Sequence, residues 1–205
     1  MTGAVILAAG KSSRMGQSKP LLRLQERTLL EWVMGSYNLV GIHENIVVVP
    51  SGHEDIITEV ERLGGTPIVN PDPDSEMFAS VQLGIRGLSQ GCRSVFLQPV
   101  DIPLIGARVL RSLQAALAEC QAWSVAPGCK GRKGHPLLLN SKAMDEVRKA
   151  KQNLTLRDII KAFPMETHVV PTTWQGVLVD CDYPDDLDDL NKLVVEISKG
   201  APYHE

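Results

Sequence analysis

The sequence lacks paired cysteines, long apolar runs and an excess of one charge. Its four cysteines, Cys92, Cys120, Cys129 and Cys181, are scattered with no C-x-x-C spacing. That argues against a disulfide frame or a thiolate zinc site and suits reduced thiols. No apolar run is long enough to span a bilayer. The N-terminus has no basic leader, and Val5-Ile6-Leu7 is soon broken by Gly10, so a secretory signal is not expected. These absences predict a cytoplasmic protein with no membrane partner. Lys and Arg number 21 against 24 Asp and Glu, a net charge of −3. A general nucleic-acid surface is therefore not expected, and any phosphate binding must be local. What is present is 205 residues, 43% of them hydrophobic, which suits one domain over residues 1–205.

Short apolar runs predict strands at residues 3–8, 45–50, 67–70, 94–99 and 123–126, with further strand at 137–139, 169–170 and 177–179. Helical spacing predicts helices from Thr28 through Tyr37 and over 54–63, 77–88, 104–120, 142–150, 156–163 and 184–198. Residues 127–136 read as a basic, glycine-rich loop. Strand and helix alternate through residue 125. That implies an α/β fold, a three-layer, Rossmann-like, mostly parallel sheet with helices on both faces. Ligands in such folds bind beyond the carboxyl ends of the strands.

The loop after the first strand reads Leu7-Ala8-Ala9-Gly10-Lys11-Ser12-Ser13-Arg14-Met15-Gly16, with Lys19 just beyond. Small residues let a ligand approach the backbone, and loop N–H groups can then face phosphate oxygens. Arg14 and Lys19 add two positive charges for a polyanion. An exposed strand-to-helix turn is the plain alternative. The loop is not a dinucleotide fingerprint, because Gly10 and Gly16 are too far apart. Nor is it a Walker A loop, since five residues separate the glycines and Gln17 follows. An NAD-dependent oxidoreductase and a P-loop ATPase therefore lose ground.

Asp101 ends the apolar run Phe96-Leu97-Gln98-Pro99-Val100, with Pro103 beyond it. A carboxylate there is placed to hold Mg²⁺, which takes one or two carboxylates plus phosphate oxygens and water. A turn or helix cap is the plain alternative.

The first loop resembles the opening signature of the MobA-like nucleotidyltransferases, and the resemblance extends over most of the chain. Within that family the sequence is most similar to the molybdenum cofactor cytidylyltransferases. The resemblance implies a nucleotide-diphosphosugar-transferase-like fold, with residues 1–125 holding nucleotide and 126–205 the acceptor. It implies that Leu7, Ala8, Ala9 and Gly10 contact the nucleotide, that Arg14 and Lys19 neutralise the triphosphate, and that Asp101 binds Mg²⁺. Guanylyl-transferring members tend to have two glycines where this chain has Ala9-Gly10, so Ala9 favours CTP over GTP or another NTP. The segment Asp180-Cys181-Asp182-Tyr183-Pro184-Asp185-Asp186 is similar to one that lends an aspartate to the metal. Asp182 is the first choice for that role and Asp180 the second, although acidic residues also cap helix N-termini. Asp185, Asp186, Asp188 and Asp189 read as such a solvated face.

Asn70 and Ser80 resemble the family's nucleotide-side helix, though Ser80 is also an ordinary first-turn serine. Gly134-His135-Pro136 resembles a segment bordering the acceptor pocket, where Lys130, Arg132 and Lys133 would suit an anionic pterin phosphate. His135 reads as either a ligand contact or a buried structural histidine, and Cys129 as either a pocket contact or incidental. Arg157 falls where the family binds the acceptor, but the usual glycine-rich version is missing.

The reaction implied joins CTP to the phosphate of molybdopterin or molybdenum cofactor and releases pyrophosphate, with a molybdenum-containing oxidoreductase as eventual recipient. A phosphate monoester's second pKa is about 6, so the nucleophile needs no general base. That agrees with the lack of a Ser/His/Asp or Cys/His set. Two rivals remain. One keeps the chemistry and changes the acceptor to a sugar phosphate or another small alcohol phosphate. The other is a non-catalytic chaperone that binds molybdenum cofactor during enzyme maturation.

Overall fold

The computed structural model describes residues 1–9, 18–72, 76–151, 154–164, 166–183 and 185–198. Gly10, Arg14 and the rest of the first loop up to Gln17 lie outside the described residues.

The strands are β1 (Thr2–Leu7), β2 (Arg23–Leu24), β3 (Arg27–Thr28), β4 (Asn45–Pro50), β5 (Thr66–Asn70), β6 (Ser94–Pro99), β7 (Ser124–Cys129), β8 (Arg132–Lys133), β9 (Leu137–Asn140) and β10 (His168–Pro171). The helices are α1 (Leu29–Leu39), α2 (Glu54–Arg62), α3 (Met77–Gly87), α4 (Ala107–Glu119), α5 (Ser141–Lys149), α6 (Leu156–Lys161) and α7 (Asp186–Ser198). One sheet runs β10-β7-β9-β6-β1-β4-β5, with β8 paired to β7, and β2–β3 form a separate hairpin. The pairs β6–β1, β1–β4, β4–β5 and β7–β10 are parallel, while β9 is antiparallel to both of its neighbours.

The central strands are mostly apolar because both of their faces are covered. Along β1, Ala4 and Ile6 face one core and Val5 the other. Along β4, Val47 and Val49 share the first core, and Ile46 and Val48 the second. The first core is roofed by α1, α2, α4 and α7, the second by α3, α5 and α6. These are the three layers expected. Helix α1 begins at Thr28 with a reciprocal cap: Thr28 Oγ1 accepts from the Glu31 amide at 3.0 Å, and Glu31 Oε2 from the Thr28 amide at 3.1 Å.

Four local expectations are corrected. The β2–β3 hairpin was not foreseen, because its turn has Gln25 at positive φ (56°) and none of the Asn-Gly or Asp-Gly signals. Residues 127–136 are not one loop. β7 runs on to Cys129, turns through Lys130 (φ 51°) and Gly131 (φ 74°), and returns as β8. α4 starts at Ala107, after a buried extended stretch containing Leu104 and Ile105. Residues 177–179 are not a strand. A 3-10 turn, Gln175–Val177, takes their place, pinned where Trp174 Nε1 donates to the Leu104 carbonyl at 2.7 Å.

Candidate active site

Three segments meet at the carboxyl edge of the sheet. The first leaves β1. The Val100 amide donates to the Leu7 carbonyl at 3.1 Å, and the Ala8 amide to the Val48 carbonyl at 2.9 Å. Ala8 is buried and Ala9 partly so. The entrance to the first loop is thus fastened both to β4 and to the turn that follows β6. The described chain resumes at Ser18, and Lys19 opens a 3-10 turn, Lys19–Leu21, with the buried Pro20 next to it.

The second segment is the turn after β6. Gln98 is fully buried and spends its amide on this turn. Its Nε2 donates to the carbonyls of Pro99 and Ile102, both at 2.8 Å, and its Oε1 accepts from the Tyr37 hydroxyl at 3.4 Å. A buried amide with these partners bridges two carbonyls of the turn, and the Pro99 carbonyl also accepts from the Ile102 amide at 3.4 Å. Asp101 stands at the tip.

The third segment precedes α7. The Cys181 amide donates to the Asp101 carbonyl at 2.8 Å, so the backbone carrying Asp180 and Asp182 is tied to the backbone carrying Asp101. Asp186 Oδ2 accepts from the amides of Asp182 (2.7 Å) and Tyr183 (2.6 Å). Asp186 is therefore not simply part of a solvated acidic face, because its carboxylate shapes the turn that presents Asp182. Asp185, Asp188 and Asp189 are exposed, and Asp189 pairs with Lys192.

Lys19 joins the two carboxylates. Its Nζ hydrogen-bonds Asp182 Oδ1 and lies 3.6 Å from Asp101 Oδ2. Burial works against the lysine charge, but the bond to Asp182 and the field of Asp101 outweigh it and hold its pKa above the ordinary value. Asp101 is pushed the other way. Burial raises its pKa, the Lys19 charge opposes this, and the negative charges of Asp182 and Asp180 add to the rise. Burial likewise pushes the Cys181 thiol up to about 11, with Asp186 adding to the shift.

His135 borders this cluster. Its amide donates to the Val177 carbonyl at 2.9 Å, and a Cβ on Gly134 would lie 2.4 Å from that same oxygen. Only glycine permits so close an approach between the β8–β9 connection and the segment leading to Asp182. Burial lowers the His135 pKa, with Asp180 opposing. Asn70 and Ser80 also meet: Asn70 Nδ2 donates to Ser80 Oγ at 3.0 Å, two strands away from β1 at the end of β5. Arg157 is exposed on α6, over the second core, whereas α7 covers the first. Among the described residues, no hydrogen bond or ion pair joins it to Lys19, Asp101 or Asp182.

The structure thus brings Lys19, Asp101 and Asp182 together, ties the backbone of Leu7 to the turn before Asp101 and that of Gly134-His135 to the segment leading to Asp182, and pairs Asn70 with Ser80 apart from them. From sequence alone, Gln98 and the Cys181 amide have no role and Asp186 reads as part of a solvated face. Gln98 carried a signal, as the one polar residue in the apolar strand Val-Phe-Leu-Gln-Pro. The Cys181 amide carried none.

The cluster has two carboxylates that could face a hard cation and an ammonium that could face a polyanion. Two carboxylates converge on one ammonium position, and oxygen donors of this kind fit Mg²⁺. Among the described residues no group of three or more His, Cys, Asp or Glu could hold a metal. No described helix is long and apolar enough to cross a membrane.

The profile of the MobA-like NTP transferase domain matches residues 4–169. The chain belongs to that family. Nucleotidyl transfer is accordingly its activity class. The molybdenum cofactor cytidylyltransferase of Escherichia coli K12 is 26% identical over 197 residues, covering 94% of this chain and 97% of its own length. A molybdenum cofactor guanylyltransferase of Sinorhizobium fredii is 31% identical over 60% of this chain and 57% of its own length. The bifunctional protein GlmU of Xanthobacter autotrophicus is 31% identical over 55% of this chain, which spans about a quarter (26%) of that protein. Among solved structures, Rv0371c from Mycobacterium tuberculosis H37Rv superposes with a TM-score of 0.80 at 19% identity, covering 94% of this chain and 98% of that one. Likeness at that identity supports the Rossmann-like fold.

Proposed function

We propose that this nucleotidyltransferase transfers CMP from CTP to the phosphate of molybdopterin or molybdenum cofactor, with Mg²⁺ as its metal. The observation that carries the reading is the meeting of Lys19, Asp101 and Asp182 at the carboxyl edge of a parallel sheet. The near full-length similarity to a cytidylyltransferase supports the donor and acceptor, as does Ala9 where guanylyl-transferring members tend to have glycine.

An oxygen of the acceptor phosphate attacks the α-phosphorus of CTP. The bond from that phosphorus to the bridging oxygen of the β-phosphate breaks, and pyrophosphate leaves with the electron pair. The acceptor is already dianionic near neutral pH, so the chain supplies no base. Its residues must instead bring two polyanions together and hold them in line. Lys19 and Arg14 neutralise triphosphate charge. Asp101 and Asp182 would hold Mg²⁺, which when bound stabilises charge at the transferring and leaving phosphates. Gln98 and the Cys181 amide keep Asp101 in place.

Pyrophosphate release tests the reading, with CTP, GTP and ATP as donors and with molybdopterin, molybdenum cofactor and a sugar phosphate as acceptors. CTP with a pterin acceptor should give the highest turnover. Turnover with the sugar phosphate alone would replace the acceptor. Pterin binding with no nucleotide consumed would favour a maturation chaperone.

A further inference from the structure

We infer that Lys19 is an internal stand-in for the divalent cation, which keeps the carboxylate pair closed to metal until a nucleotide triphosphate draws the lysine away. The inference rests on the nucleotidyl-transfer reading above and adds an order of binding to it.

Three observations carry it. Lys19 Nζ bonds Asp182 and lies 3.6 Å from Asp101 Oδ2, so one cation already serves both carboxylates. The two carboxylates carry two negative charges, and the lysine cancels one of them. The backbones beneath the pair are tied by the Cys181–Asp101 bond at 2.8 Å, so the carboxylates are held near each other without relying on the lysine alone.

A divalent ion approaching the free protein therefore meets a carboxylate pair whose charge is partly cancelled by a competing ammonium. Mg²⁺ keeps a full shell of oxygen ligands and sheds water reluctantly, so two carboxylates give a weak site unless phosphate oxygens complete it. A triphosphate supplies those oxygens. It also supplies anionic partners for Lys19, whose flexible stem can carry the ammonium from carboxylate to phosphate. Each ligand thus removes an obstacle to the other, and the coupling is reciprocal. Metal and nucleotide enter together, and metal alone binds poorly.

Manganese binding to the full chain without nucleotide tests this, followed by electron paramagnetic resonance or calorimetry. The wild type should bind Mn²⁺ weakly. Lys19→Met keeps the stem and removes the charge, and should bind Mn²⁺ about tenfold more tightly or better. Lys19→Arg keeps the charge and should stay weak. In the Lys19→Met background, Asp101→Asn should abolish the gain. An unfolded Lys19→Met chain would show no such gain, so circular dichroism accompanies the titration, and Lys19→Gln serves as the second neutral variant. If folded Lys19→Met and Lys19→Gln both bind Mn²⁺ no more tightly than wild type, the inference is overturned. That result beside wild-type pyrophosphate release would sink the stand-in role and spare the proposed activity. Tighter binding beside no pyrophosphate release from any nucleotide would do the reverse.

Discussion

Asp101 and Asp182 reach the same ammonium from different kinds of support. Asp101 stands on a turn gripped from inside the sheet: by the buried Gln98 amide, by the Leu7 carbonyl through Val100, and by the Cys181 amide. Asp182 stands on a surface turn whose amides are gathered by Asp186, the first residue of α7. The side chain of Asp101 is 29% exposed and that of Asp182 43%. One carboxylate is part of the scaffold, and the other, 81 positions later, is brought to it by the segment before α7. On the proposed reading, Asp101 would be the ligand fixed by the scaffold and Asp182 the one supplied by the turn before α7.

That contrast is broken most sharply by exchanging the two carboxylates for amides one at a time. Asp101→Asn should lower kcat/KM for pyrophosphate release by about a thousandfold or more, as expected for loss of a ligand fixed before the reaction. Asp182→Asn should cost about ten- to a hundredfold, because water can replace a ligand on an exposed turn. Equal losses would mean that the two supports do not matter.

Gln98→Met sharpens the comparison from below. It takes the Gln98 donor from the Ile102 carbonyl and leaves the Pro99 carbonyl with the Ile102 amide at 3.4 Å, at a cost of about 2 kcal/mol in denaturant unfolding. In the folded fraction kcat should fall by about tenfold as Asp101 loses its fixed turn. Unchanged kcat in a destabilised protein would confine Gln98 to stability. Asp186→Ala makes the matching change under Asp182. It frees two amides at the surface, where water can reach them, so about 1 kcal/mol is expected, with a few-fold rise in the Mg²⁺ concentration needed for half-maximal rate.

The smallest effect is in acid. Burial raises the Asp101 pKa above the ordinary 3.8, so the folded chain holds that proton more tightly than the unfolded chain. Stability of the ligand-free protein should therefore fall as pH rises from about 3.8 to the raised value and be level above it. Asp101→Asn should remove that fall, seen as the difference between two curves of unfolding midpoint against pH. Identical curves would show that Asp101 is not buried enough to matter.

Much of this architecture could be read from residue patterns. β1, β4 and β6 are apolar on both faces, which marks buried parallel strands, and Asp101 lies directly beyond one of them. Lys19 was marked by its place after a strand-and-glycine loop. Its pairing with Asp182 was not legible, because 163 positions separate them and a long-range contact leaves no local period. The helix-capping pattern hid Asp186, since an acidic residue there looks alike whether it faces water or reaches back to Asp182. The hairpins at Gln25 and Lys130 were missed because their turns do without the usual pairing of Asn or Asp with Gly. Residues 177–179 have strand composition, but the lock of Trp174 onto Leu104 overrides it.

On the proposed reading, Lys19, Asp101 and Asp182 form one nucleotidyl-transfer centre. Pyrophosphate release from CTP in the presence of molybdenum cofactor, followed across a Mg²⁺ titration in wild type and Asp101→Ala, tests it most directly. Wild type should show a saturable Mg²⁺ dependence, and the folded variant no turnover at any Mg²⁺ concentration. Wild-type turnover by Asp101→Ala would contradict it.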